Sequence, residues 1–126
     1  MTRGIIGVVL LLVLLAGGMF VQFAMDTIHA PIARELAQAA ETGTRQLWDA
    51  ALVHQENAAR LWRKSWRLTA AFADHMPMED IDSMFSELPV YLTQREQTHY
   101  VAACRELARR IEAMSDAHRL TWWNLL

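Results

Sequence analysis

The chain predicts an all-α protein: an N-terminal transmembrane or signal-anchor helix, followed by a small antiparallel bundle of three to four amphipathic helices. Three observations predict it. Gly4 to Met25 carries no charge, and its only strongly polar residue is Gln22. As a helix those residues extend about 33 Å, just beyond the roughly 30 Å of a bilayer's hydrocarbon. After Met25, apolar residues recur alternately every four and three positions, the period of a helix that buries one face. Finally, no segment shows the two-residue alternation of a strand, and no Gly- or Pro-rich linker divides the chain.

Residues 1–25 are therefore expected to be a membrane anchor or uncleaved signal helix, and 26–126 one extracytoplasmic helical domain. A cleaved signal peptide is the alternative, because Ala16-Gly17-Gly18 places small residues where a peptidase acts. The apolar run continues past that point through Met19, Phe20, Val21, Phe23, Ala24 and Met25, which favours retention. Arg3 precedes the span, and Asp26, Arg34 and Glu35 follow it with no basic excess. That asymmetry predicts a single pass with the N-terminus cytoplasmic.

Beyond the anchor, Asp26-Thr27 offers a helix cap, although the span can equally run on as one rod. Pro31 suits a first turn and would kink a continuous helix. Thr42-Gly43-Thr44 is expected to break the pattern, with Thr44 capping the next helix. From Arg45 to about Met76 two neighbouring rows share helical spacing. One is Trp48, Leu52, Gln55, Ala59, Trp62, Trp66, Thr69, Ala73 and Met76; the other is Leu47, Ala51, His54, Ala58, Leu61, Ser65, Leu68 and Phe72. Together they predict a long amphipathic helix. Pro77 suits the start of the following helix, where Glu79, Asp80 and Asp82 complement the macrodipole. Pro89 is expected to kink or split that helix near Leu88. After a turn around Thr93 to Gln97, the stripe Tyr100, Cys104, Leu107, Ile111, Met114 and His118 predicts the last helix. Trp48-Asp49-Ala50-Ala51 against Tyr100-Val101-Ala102-Ala103 hints faintly at a duplicated helix pair.

Trp62, Trp66, Asp74-His75, Ile81-Asp82, Leu88, Tyr91, Leu107, Ile111 and the closing Leu120…Asn124-Leu125-Leu126 resemble a bacterial family, the domain of unknown function 4363. The resemblance spans the whole chain. It implies one N-terminal membrane segment and a helical extracytoplasmic part, and it transfers no activity. Pro89 and Leu125, where the family favours Ile, depart from its pattern.

Charge and composition narrow the functional classes. The 12 basic residues, Arg3 aside, face 14 acidic ones, an ordinary solvated balance with nothing to recruit nucleic acid. Cys104 is the only cysteine, so neither an intramolecular disulfide nor a thiolate zinc site is available. His29, His54, His75, His99 and His118 show no i, i+4 metal pairing, and capping explains the acids around Asp74-His75. No cofactor is expected. No Gly-rich phosphate loop or strand–turn–helix nucleophile elbow occurs, which argues against an enzyme.

The candidate interaction surface is Arg60, Arg63, Lys64 and Arg67, with Trp122, Trp123, Asn124, Leu125 and Leu126 at the end of the chain. The four bases are read first as a solvated face paired with Glu56, and the apolar tail as docked on its own bundle. Trp48, Trp62 and Trp66 are read as core, with an aromatic ligand cage as the alternative. The function expected is a non-enzymatic, membrane-anchored interaction module whose partner is another membrane or envelope protein, or itself. The alternative is a sensor-like domain that holds a small ligand between helices and works with a membrane partner, because only about three residues precede the span.

Overall fold

A computed structural model describes residues 1–72 and 75–123, with side chains over 1–71 and 76–116. Four helices follow one another: α1 (Thr2–Thr44), α2 (Trp48–Phe72), α3 (His75–Gln94) and α4 (Gln97–Trp123). Neighbours pack in a ring, α1 on α2, α2 on α3, α3 on α4 and α4 on α1. Among the described residues the backbones of neither diagonal pair approach each other, and the α2–α4 diagonal is bridged by the Tyr100 side chain, which reaches Trp48 and Ala51. This is an up-and-down four-helix bundle, whose first member is the second half of α1 itself.

α1 is long and apolar enough to cross a membrane, with a mean hydropathy of 2.8 over its best 18 residues. It continues without interruption through Asp26, Thr27 and Pro31. Pro31 removes the bond that an N–H there would donate to the carbonyl of Thr27, yet the helix persists because its flanks are packed. Ile32, Leu36, Ala39 and Ala40 are buried against the other helices.

The break expected at Thr42-Gly43-Thr44 comes three residues later. Thr44 is the last residue of α1, and its hydroxyl donates back to the Ala40 carbonyl (2.9 Å) instead of capping α2. The turn is a Schellman motif. Leu47 N–H donates to the Thr42 carbonyl and Gln46 N–H to that of Gly43, with Gln46 left-handed at φ 57°. The α3–α4 turn repeats it, with Glu96 N–H donating to Tyr91, Arg95 N–H to Leu92, and Arg95 at φ 53°. Gln97 ties the two turns together, its Nε2 donating to the Thr44 carbonyl (2.8 Å) and its Oε1 accepting from Gln46 (3.0 Å).

Gly43 is needed for close approach. A Cβ there would lie 2.9 Å from Tyr100 Cδ1, and Tyr100 is fully buried with its ring edge-on to Trp48 and its hydroxyl donating to the Ala51 carbonyl. Gly43→Ala gains about 1 kcal/mol of helix propensity but overpacks a ring that cannot retreat, at about 1–3 kcal/mol. A lower thermal midpoint is expected; a higher one would show that Tyr100 gives way.

α2 buries Ala51, Gln55, Ala58, Trp62, Ser65 and Thr69. This stripe draws alternately from the two rows read in the sequence and leaves Leu52 and Leu68, 36% and 45% exposed, at its edges. α3 runs through Pro89 without splitting, and the Thr93 hydroxyl donates to the Pro89 carbonyl (2.7 Å). α4 buries Tyr100, Cys104, Leu107, Ile111 and Met114 as expected; the side chain of His118 lies outside the described residues.

Candidate functional site

The seam between α2 and α3 is the least closely packed of the four. It opens into a cleft of about 730 Å³, within the range of ligand pockets. The helical period brings Gln55, Ala59, Trp62 and Arg63 of α2 to one side, and Asp82, Phe85, Ser86 and Pro89 of α3 to the other. Ala59 is too small to fill the gap, and Leu52 stands at the edge half-turned to water.

An aromatic stack forms the floor. Trp62 is 1% exposed, lies against Phe85 (centroids 6.0 Å, planes 24° apart) and meets Trp66 edge-on at 5.9 Å. Both are favourable ring geometries. The Trp62 indole N–H donates to Asp82 Oδ1 at 3.2 Å, so Asp82 satisfies a buried donor besides standing in the early turns of α3. Gln55 is 4% exposed, and its Oε1 has no hydrogen-bond partner among the described residues. Such an orphaned acceptor carries a desolvation cost of about 1–3 kcal/mol.

Of the four bases proposed as a surface, Arg60 and Arg63 line this cleft together with Glu56, whereas Lys64 and Arg67 are exposed outside its lining. The expected pairing with Glu56 is not made. Arg60 Nη2 donates to Asn57 Oδ1 (3.3 Å), and no ion pair among the described residues involves any of the four. Asn57 sits one turn before Arg60 and reaches the guanidinium first. The side chains of Trp122 and Trp123, and all of Asn124, Leu125 and Leu126, lie outside the described residues, so the docked-tail expectation does too. A three-tryptophan cage is not formed: Trp48 packs on Tyr100 near the turns, far along α2 from the Trp62–Trp66 pair.

A second polar seam joins α1 to α4. His29 is 1% exposed, with Nδ1 2.9 Å from the Ser115 hydroxyl, and Gln22 Nε2 donates to Asp26 Oδ1 (3.2 Å) and to the Ser115 carbonyl (3.5 Å). The one polar residue of the apolar run thus faces a neighbouring helix. Nothing in the sequence around Gln22 marked Ser115 as its partner, 93 positions away.

The cleft offers stacking, charge and hydrogen bonding. The Cys104 thiol lies elsewhere, fully buried in the core, and burial pushes it up to about 12 despite its hydrogen bond to Tyr100. No group of three metal-ligating side chains gathers among the described residues. On the outer face of α4, Arg109 and Arg110 hold Glu106 down at about 2 through hydrogen bonds, away from the cleft.

No curated protein and no solved structure matches the chain. Residues 19–125, which include all of α2, α3 and α4 and the packed half of α1, match the model of one protein family, and the chain belongs to that family, described as a domain of unknown function (4363).

Proposed function

We propose that this chain is a single-pass, membrane-anchored helical module that presents its bundle outside the cytoplasm and binds another protein there, without catalysing a reaction. The open α2–α3 cleft carries this reading. Its aromatic floor supplies apolar area, and Arg60 and Arg63 with Glu56 supply a charged rim, the anatomy of a protein-recognition groove. Arg3 ahead of the apolar run, and the exposure of Ile5, Ile6 and every residue from Val8 to Leu14, support the anchor and its orientation.

A photo-crosslinking residue at Ser86, on the cleft rim, is expected to yield one discrete adduct in intact cells. The same residue at Gln38, on the exposed face of α1, should yield none, and Arg60→Glu with Arg63→Glu should suppress the Ser86 product. An adduct of twice the chain mass would identify a second copy as the partner. No adduct from Ser86, or equal adducts from both positions, would refute the proposal. Protease added to intact cells is expected to digest the bundle, and full protection would reverse the orientation.

The cleft volume and the orphaned Gln55 oxygen favour one other reading, a small ligand with a hydrogen-bond donor held between α2 and α3. That reading predicts quenching of Trp62 fluorescence by the ligand and no protein adduct at Ser86.

A further inference from the structure

We propose that the end of the bundle opposite the two turns is itself seated in the lipid interface, so that the protein meets the membrane through α2 and α3 as well as α1. This rests on the reading of α1 as an anchor.

The observation that carries it is an overlap. Gly18 and Met25 are buried by the bundle, and Val21 and Gln22 are half-buried. The bundle therefore grips the last third of the apolar run. What remains between Arg3 and Gly18 is Gly4 to Gly17, about 21 Å of helix at 1.5 Å per residue, some 9 Å short of the hydrocarbon thickness. On the side of α1 turned away from the other helices at this height, Met19, Phe20 and Phe23 are 75%, 72% and 71% exposed. Three large apolar side chains on one face call for lipid around them. Lipid that covers Met19 to Phe23 also reaches whatever the other helices place at that level.

Side-chain pairs between neighbouring helices set the level. Glu35 of α1 meets His54 of α2 at 2.7 Å, and fourteen residues onward from each, toward this end, stand Val21 and Leu68. Trp62 of α2 meets Asp82 of α3, and six residues from each in the same direction stand Leu68 and Met76. Leu68 and Met76 are 45% and 79% exposed, so two apolar side chains on separate helices sit level with the lipid-facing part of α1. Lys64 and Arg67, both exposed, lie within one turn on the side toward the bundle's middle. From there a long cationic side chain keeps its stem along apolar surface and its charge among headgroup phosphates. Glu79 and Asp80 are exposed on α3 a turn from Met76, and Arg110 stands 3.8 Å from Asp80. Both signs of charge thus occur at this height, and the seat forms on zwitterionic lipid without an anionic headgroup.

The test uses the full chain in phosphatidylcholine nanodiscs with nitroxide-bearing lipids. A fluorophore is attached at one introduced cysteine at a time: Val13→Cys in the span, Leu68→Cys, Met76→Cys, or Gln46→Cys in the far turn. Cys104 is fully buried and does not compete for the label. Val13→Cys is expected to lose most of its emission to a nitroxide deep in the acyl chain. Leu68→Cys and Met76→Cys are expected to lose most of theirs to one just below the headgroup, and Gln46→Cys to neither. Quenching at position 13 with positions 68 and 76 as bright as position 46 would overturn the seat while leaving the anchor intact. No quenching at position 13 would overturn the anchor, and the seat with it.

Discussion

Trp62→Ala is expected to lower the stability of the bundle by about 3–5 kcal/mol, the range for truncating a buried Trp. Trp62 is among the largest fully buried side chains. It also does more than fill volume, because among the described residues the backbones of α2 and α3 approach each other least closely and long side chains must bridge them. Its ring stacks on Phe85, takes the edge of Trp66 and donates to Asp82, so one residue pins α2 to α3. Truncation would join the vacated space to the cleft, letting water in and leaving Phe85 without its stacking partner. Denaturant unfolding followed by far-ultraviolet circular dichroism measures the loss. Trp62→Phe, which keeps the stack and gives up the N–H, should lose only about 0.5–1.5 kcal/mol from the missing hydrogen bond, plus a smaller packing deficit. A Trp62→Ala variant within about 1 kcal/mol of the parent, well under the usual cost, would mean that the seam is held by something else.

The second large effect concerns location. Leu11→Arg combined with Leu14→Arg places two charges on one face near the middle of the apolar run, where both side chains are at least half exposed. Each arginine costs about 2.5–3.5 kcal/mol on insertion at the helix centre. The double variant is therefore expected to leave the membrane fraction on alkaline extraction, while the parent chain stays in the pellet. The bundle does not use either position, so its helical circular dichroism should persist. A double variant that resists extraction as firmly as the parent would show that the apolar run is not what holds the protein.

Particular residues show where the sequence was legible. The apolar run and the four-three spacing in α2 and α4 stand in the text because they are properties of single helices, and the structure keeps them. The edges were harder to read. Thr44 has a good capping side chain, but a hydroxyl at the last turn of a helix finds the Ala40 carbonyl as readily as a free N–H. The true turn residues, Gln46 and Arg95, adopt a left-handed conformation that glycine or asparagine would ordinarily announce. Pro89 lacks one donor, yet Leu88 beside it is fully buried, and packing of that face outweighs a single lost backbone bond.

The candidate site was legible in part. Arg60 and Arg63 are close neighbours on one helix and share the cleft, but Lys64 and Arg67, equally close in the sequence, lie outside its lining. Gln55 and Asp82 were visible only as a member of a row and as a macrodipole partner. Their joint place at the Trp62 floor depends on how α3 meets α2. Pairing across that seam depends on side chains about twenty positions apart, and no local period encodes it.

The amino-acid sequence by itself determined that the chain is helical, that it begins its first helix with an oily rod, and where most buried faces lie. These follow from hydropathy and period, which each helix carries alone. Only the tertiary structure decided that this rod is also a bundle member, that Gln22 turns toward Ser115, and that among the described residues α2 and α3 approach each other least closely. The physical reason is that such choices depend on which volumes interdigitate between distant helices. A small residue such as Ala59 opens a gap only when its opposite number on α3 fails to fill it.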